Sequence, residues 1–188
     1  MTASELEMPP GPFQRALASL DRAEMRPEVT VERTPAPPRL APYSLAFTAE
    51  VEVEGEELAS GRFVVLHDPA GHDEWAGTFR LVTFVRAALE PDIASDPLFA
   101  EVGWAWLTEA LTAHGASYVS ASGTVTRVAS EGFGGLAGRL PPAEVEIRAS
   151  WTPADEELGA HLAAWGDLLC TVAGLPPATP GVSPLRRR

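Results

Sequence analysis

The stretch YSLAFTAEVEV, residues 43–53, decides the fold. Its alternation is strict: Tyr43, Leu45, Phe47, Ala49, Val51 and Val53 fall on one side, and Ser44, Ala46, Thr48, Glu50, Glu52 and Glu54 continue the other. A period of two belongs to an extended chain, and here it gives one apolar face and one wet, acidic face. That is the pattern of an antiparallel sheet covered on one side only.

Working outward, residues 143–151 repeat the pattern, with Val145, Ile147, Ala149 and Trp151 inward and Glu144, Glu146, Arg148 and Ser150 outward. Gly55 marks a turn, and Arg62 to His67 returns as a strand. A short strand, Val29 to Val31, precedes the proline-rich connector Thr34 to Arg39. Residues 78–89 fit two templates. As a strand they put Phe79, Leu81, Thr83, Val85 and Ala87 on one face and Arg80, Val82, Phe84 and Arg86 on the other; as a helix they leave a polar stripe of Arg80, Thr83, Ala87 and Glu90. The density of Thr, Val and Phe after Gly77 favours the strand. Ala116 to Ser130 reads as one strand bent at Gly123.

Three helices complete the pattern. The first follows Gly11, with Pro12 at its first position and Phe13, Ala16, Leu17 and Leu20 as its apolar stripe. The second is expected to start at an Asp96 cap with Pro97 and to end at Gly115, burying Phe99, Val102, Gly103, Trp106, Leu107 and Ala110. The third is expected to open with a capping box, Thr152 to Asp155, and to carry Leu158, Leu162, Trp165, Leu169 and Val172 on one face. The expected architecture is a single α+β domain over residues 11–175, a mainly antiparallel sheet with about three helices packed on one face. Residues 1–10 are expected to form a disordered leader and 176–188 a Pro- and Arg-rich tail.

Composition excludes several chemistries. All 14 basic residues are arginine, so there is no Schiff-base lysine, no pyridoxal aldimine and no P-loop lysine. Cys170 is the single cysteine, which excludes a disulfide framework and a cysteine-based zinc or iron–sulfur site, and suits a reducing, cytoplasmic setting. The net charge of −12 opposes phosphate backbones and anionic lipid, so nucleic acid as a direct ligand and membrane binding are not expected. No apolar run approaches the roughly 18 residues of a membrane span, and the N-terminus lacks the basic and apolar regions of a signal peptide. The absence of lysine and asparagine fits a high-GC coding bias.

Two clusters carry possible chemistry. His67, Asp68, His72, Asp73 and Glu74 lie within eight residues of a turn-rich segment, where two imidazoles and three carboxylates could act as acid and base or hold a divalent ion. Asp68-Pro69 and Ala70-Gly71 are also ordinary turn chemistry, and His67, alternating with Phe63 and Val65, also reads as a half-buried histidine. Arg80 and Arg86 share one face of their strand, with Arg127 and Arg148 as possible neighbours; they could fork onto a ligand carboxylate or phosphate, or pair with cross-strand glutamates. The GxGxxA-like run Gly132 to Ala137 precedes Pro141 and Pro142 and a strand, not the helix that dinucleotide binding needs. No cofactor and no metal centre are expected.

Seven segments, RLAPYSLAFTAEV, GRFVVLHDPAG, WAGTFRLVTFVRA, DPLFAEVGWAWL, GTVTRVASEGFGGL, EIRASWTP and AWGDLLCTVAGLPP, occur in this order from about Pro12 to Val182. In them the chain resembles the DUF3000 family of actinobacterial proteins. That resemblance implies no established activity, ligand or catalytic residue. Two functional expectations follow from the residues. One is a cytoplasmic, non-catalytic binding or regulatory protein that docks a partner protein through its acidic sheet face, Glu50, Glu52, Glu54, Glu144 and Glu146, or through its proline-rich segments. The other is a small enzyme or ligand-binding domain built on the His67–Glu74 loop and nearby arginines. The oligomeric state stays open.

Overall fold

A computed structural model describes residues 8–139 and 143–178. The tail beyond residue 178, residues 1–7 of the expected leader, and Pro141 and Pro142 lie outside the described residues. In chain order the elements are α1 (Gly11–Asp21), β1 (Val29–Thr34), β2 (Tyr43–Val53), β3 (Glu56–His72), β4 (Gly77–Leu89), α2 (Pro91–Ser95), α3 (Phe99–Ala113), β5 (Tyr118–Val128), β6 (Ala143–Pro153) and α4 (Leu158–Val172). All strand pairs are antiparallel, in the order β1-β2-β3-β4-β6-β5. Residues 78–89 are a central strand. This is a single α+β domain, with β6 inserted between β4 and β5.

The helices lie on one face of the sheet, which the alternating apolar residues supply: Leu45, Ala49 and Val51 on β2, Phe63 and Val65 on β3, Leu81 and Val85 on β4, Val145, Ile147 and Trp151 on β6. Helix α4 packs across β2, β3 and β4 and is flanked by α1 and α3. Eleven of its fifteen residues are buried, because it meets protein on three sides. Its approach is set at Gly61. A Cβ there would meet the Phe84 carbonyl oxygen at 2.5 Å and the Trp165 ring at 2.8 Å, so only a glycine lets the indole lie on β3.

Three sequence expectations about helix ends and faces are corrected. Helix α3 begins at Phe99: the Asp96 side chain accepts the Leu98 N–H (2.9 Å) in a turn, and Arg127 holds the Asp96 carbonyl at 2.6 Å and the Ala94 carbonyl at 3.0 Å. Helix α4 begins at Leu158, since β6 runs on through Thr152 and Pro153 and no local capping box forms. Its first turn is capped from a distance, Gly159 N–H donating to Ser19 Oγ of α1 at 3.2 Å. Val102 is 41% exposed, because the buried stripe of α3 is Phe99, Gly103, Leu107 and Leu111, at i, i+4 spacing. β3 also runs beyond Arg62 to His67 at both ends, over Glu56–His72, and within it Val64 and Leu66 are covered on the far face by Ala36, Ala41 and Trp75, which masks the alternation.

Beneath α4, the Trp151 indole donates to Nδ1 of the buried His161 at 3.0 Å. Burial holds the His161 imidazole neutral, its pKa brought from 6.5 to about 4. Between these values the unfolded chain takes up the proton and the folded one does not. Stability therefore falls as pH drops from above 6.5 toward 4, by up to about 3 kcal/mol. Denaturant unfolding across that range should show this slope, and His161→Gln, whose amide oxygen can still accept from Trp151, should flatten it. Gly61→Ala should cost about 1–3 kcal/mol by overpacking, read in the same experiment.

Candidate functional site: the open sheet face

The His67–Glu74 segment does not gather its polar groups. His67 ends the inward row of β3 and is 1% exposed, stacked on Phe79 (4.1 Å between centroids) and Phe13 (5.8 Å). Its Nδ1 donates to the Thr78 carbonyl at 3.0 Å, its Nε2 is buried without a partner, and burial lowers its pKa. Asp68 accepts the Ala70 N–H in a turn (2.9 Å). His72, exposed, stacks on Trp75 at 4.9 Å, and Asp73 and Glu74 point to solvent in the turn that follows. His67 and His72 therefore face different environments. Among the described residues no three His, Cys, Asp or Glu side chains are placed to hold a metal ion.

Arg62, Arg80, Arg86 and Arg148 share the face that the helices leave bare. Strand register builds this face in rows. Thr34, Ala46, Val64, Val82, Ser150 and Ser122 form one row; Glu32, Thr48, Arg62, Phe84, Arg148 and Thr124 form the next; Thr30, Glu50, Ser60, Arg86, Glu146 and Thr126 form the third. The first two rows line a shallow hollow of about 370 Å³ whose floor is Val64, Val82 and Phe84, whose flanks are Arg62 and Arg148, and whose far wall is Ser122, Thr124 and Ser150.

Each arginine meets a different partner. One guanidinium nitrogen of Arg86 donates to both carboxylate oxygens of Glu144 (2.6 and 2.8 Å), its diagonal cross-strand neighbour. Arg148 touches Glu146 at 3.2 Å and sets its guanidinium 4.9 Å from the Phe84 ring centroid. The Arg62 guanidinium donates to the Pro35 carbonyl at 3.1 Å, while its Nε is buried with no partner. Arg127 lies on the opposite, helical side, where it binds the α2 and Asp96 carbonyls. Of the five outward glutamates, Glu144 and Glu146 are thus engaged by arginines, Glu50 and Glu52 stand on β2, beyond β3 and β4 from them, and Glu54 lies past β2 in its turn at φ 55°.

Arg80 is the unusual one. It is 8% exposed and has no carboxylate partner among the described residues. Instead it donates to the Ser120 carbonyl (2.8 Å), Thr152 Oγ1 (3.1 Å), the Ser150 carbonyl (3.3 Å), Ser150 Oγ (2.8 Å) and Ser122 Oγ (3.4 Å). A bulge between Val119 and Ser122, with Ser120 at φ 53°, brings the Ser120 carbonyl into reach. Burial lowers the Arg80 pKa, yet a guanidinium stays charged at neutral pH. Because Ser122 and Ser150 accept from Arg80, their own O–H protons are free to turn toward the hollow. The wall therefore presents donors backed by an unneutralised positive charge.

The sequence pointed to Arg80 and Arg86 with Arg127 and Arg148 as possible neighbours, but not to Arg62, Phe84, Ser122 or Ser150; the structure places Arg148 on this face and Arg127 on the other. The available signal was Val82 and Phe84, two large apolar residues on the solvent side of an alternating strand. Arg80 also rivets three strands together. Arg80→Met should lower unfolding free energy by about 2–4 kcal/mol in denaturant titration, since it strands several buried acceptors. Arg80→Lys should recover only part of it.

Among the described residues no helix is long and apolar enough to cross a membrane. No curated protein and no solved structure matches the chain. The sequence model described as "Protein of unknown function (DUF3000)" matches residues 9–183, nearly the full length, and the chain belongs to that family.

Proposed function

We propose that this chain is a non-catalytic binding protein that holds a carboxylate-bearing segment of a partner protein in the hollow on its open sheet face. The carrying observation is the hollow itself: a Phe84 and Val82 floor between Arg62 and Arg148, backed by an Arg80 that no carboxylate among the described residues neutralises. An incoming carboxylate finds fork-shaped donors and hydroxyls, and the apolar part of its side chain finds the floor. The Glu146 contact to Arg148 is no obstacle, because an exposed pair of this kind contributes only about 0.2–1 kcal/mol and exchanges readily. Binding is favoured over catalysis at the His67–Glu74 segment, whose two histidines do not come together. The lone, buried Cys170 thiol suits work in a reducing, cytoplasmic setting.

Phenylacetate, a small aromatic carboxylate, is a direct probe. In an NMR titration it should shift the amides of Val82, Phe84, Ser122 and Arg148, with the neutral phenylacetamide binding more weakly. Arg148→Ser and Arg62→Ser should each weaken phenylacetate by about tenfold, the loss of one charge-assisted contact. Shifts scattered over the surface, or unchanged in both variants, would overturn the reading.

A further inference from the structure

We infer that the partner segment enters as a seventh strand, pairing along the free edge of β5 so that its side chains on the open face fall beside the arginine hollow. This rests on the binding reading above for the carboxylate, and on the edge itself for the strand.

Among the described residues the strand order leaves two edges, β1 and β5. They are not alike. β1 is six residues long, carries Glu32 and Arg33 and runs straight into Pro35, so it is short and blunted. β5 is eleven residues long; a bulge between Val119 and Ser122 interrupts it and leaves Ser122–Val128 as its regular run, which has no proline and whose single charge, Arg127, is turned back onto the α2 and Asp96 carbonyls. A long edge without charge or proline is a template for another strand. Residues 119–124 and 126–128 are all exposed, with Val119 48% and Val128 42% exposed near either end. On the helical side, a Cβ at Gly123 would lie 2.7 Å from the Trp104 ring, so α3 places a half-buried indole over this edge as an apolar shoulder.

Register then specifies the segment. On its open face β5 shows Val119, Ser122, Thr124, Thr126 and Val128. A seventh strand would lie about 4.8 Å outside them. A glutamate on that strand beside Ser122 and Thr124 stands two strand spacings, about 10 Å, from the Arg148 position, and reaches it when the guanidinium swings off Phe84 on β4 and across Thr124 toward the edge. Backbone pairing supplies the rail and the carboxylate selects the sequence. The surrounding charge of −12 favours a partner that is neutral or basic elsewhere, and disfavours a second copy of this chain.

The test uses the full chain and a short acetylated peptide of alternating threonine and valine with one central glutamate. Two companions are a glutamine version and a version N-methylated at alternate residues. Amide hydrogen exchange and NMR shifts are read together. The glutamate peptide should slow exchange of the outward β5 amides and shift Phe84 and Arg148. The N-methylated peptide should do neither, and glutamine should weaken binding about tenfold. Shifts at Phe84 and Arg148 with unchanged β5 exchange would overturn the added strand and leave the hollow as the site. Equal binding by the glutamine peptide would overturn the carboxylate requirement, and the binding reading with it. A free protein that is already dimeric, with its β5 edge protected, would show that a second copy occupies the rail and would overturn the inference.

Discussion

Helix α4 lies on the sheet at Gly61, where the missing side chain lets the Trp165 ring rest on β3. The rest of the molecule is arranged around that contact. Because α4 is buried against three strands and two helices, it concentrates the core on one side of the sheet, and α1 and α3 have their places only beside it. Burial on one side is sufficient: the inward rows of β2, β3, β4 and β6 supply a continuous apolar layer. The opposite face is then released from any duty to the core. Its small buried patch is Ala46, Val64 and Leu66 under Ala36, Ala41 and Trp75, with Val82 and Phe84 beside it in the hollow. What remains of it is free to hold charge.

The arginines divide that labour. With no lysine in the chain, every cation is a planar fork, and each fork is used according to what lies within reach. Arg86 meets a carboxylate and is neutralised. Arg127 meets carbonyls and ties β5 to the start of α3. Among the described residues Arg80 meets hydroxyls and carbonyls, which satisfy its hydrogen bonds without cancelling its charge. A strongly acidic protein thus keeps, on a face of mixed charge, one guanidinium whose partners among the described residues carry no charge.

Much of the fold was legible in the sequence because alternation survives wherever only one strand face is covered. Residues 43–53, 78–89 and 143–151 kept that pattern. It failed for β3, where Val64 and Leu66 are covered on the second face and the strand reads as a plain apolar run. Helix ends were misplaced where the capping group is distant: Ser19 serves α4, and Arg127 takes the carbonyl of Asp96. A reading of local sequence cannot see either. The hollow was harder still. Phe84, Arg62 and Arg148 are scattered along the chain and become neighbours only through strand register, whereas the dense His67–Glu74 cluster looks like a site in sequence and is split by the opposite orientations of its two histidines.

The insertion of β6 between β4 and β5 also governs the order of assembly. Leu89 pairs with Ala143 across the whole of α2, α3 and β5. Until β6 has been made, β4 is itself an edge, and the meander of β1 to β4 ends in the apolar stretch around Phe84. During synthesis from the N-terminus, these four strands emerge first and wait for the C-terminal portion of the chain, β6 and α4, to close the sheet and cover its face. Contacts of such long sequence separation are formed late and slowly. The nascent chain is therefore most exposed to wrong strand pairing in the interval between β4 and β6.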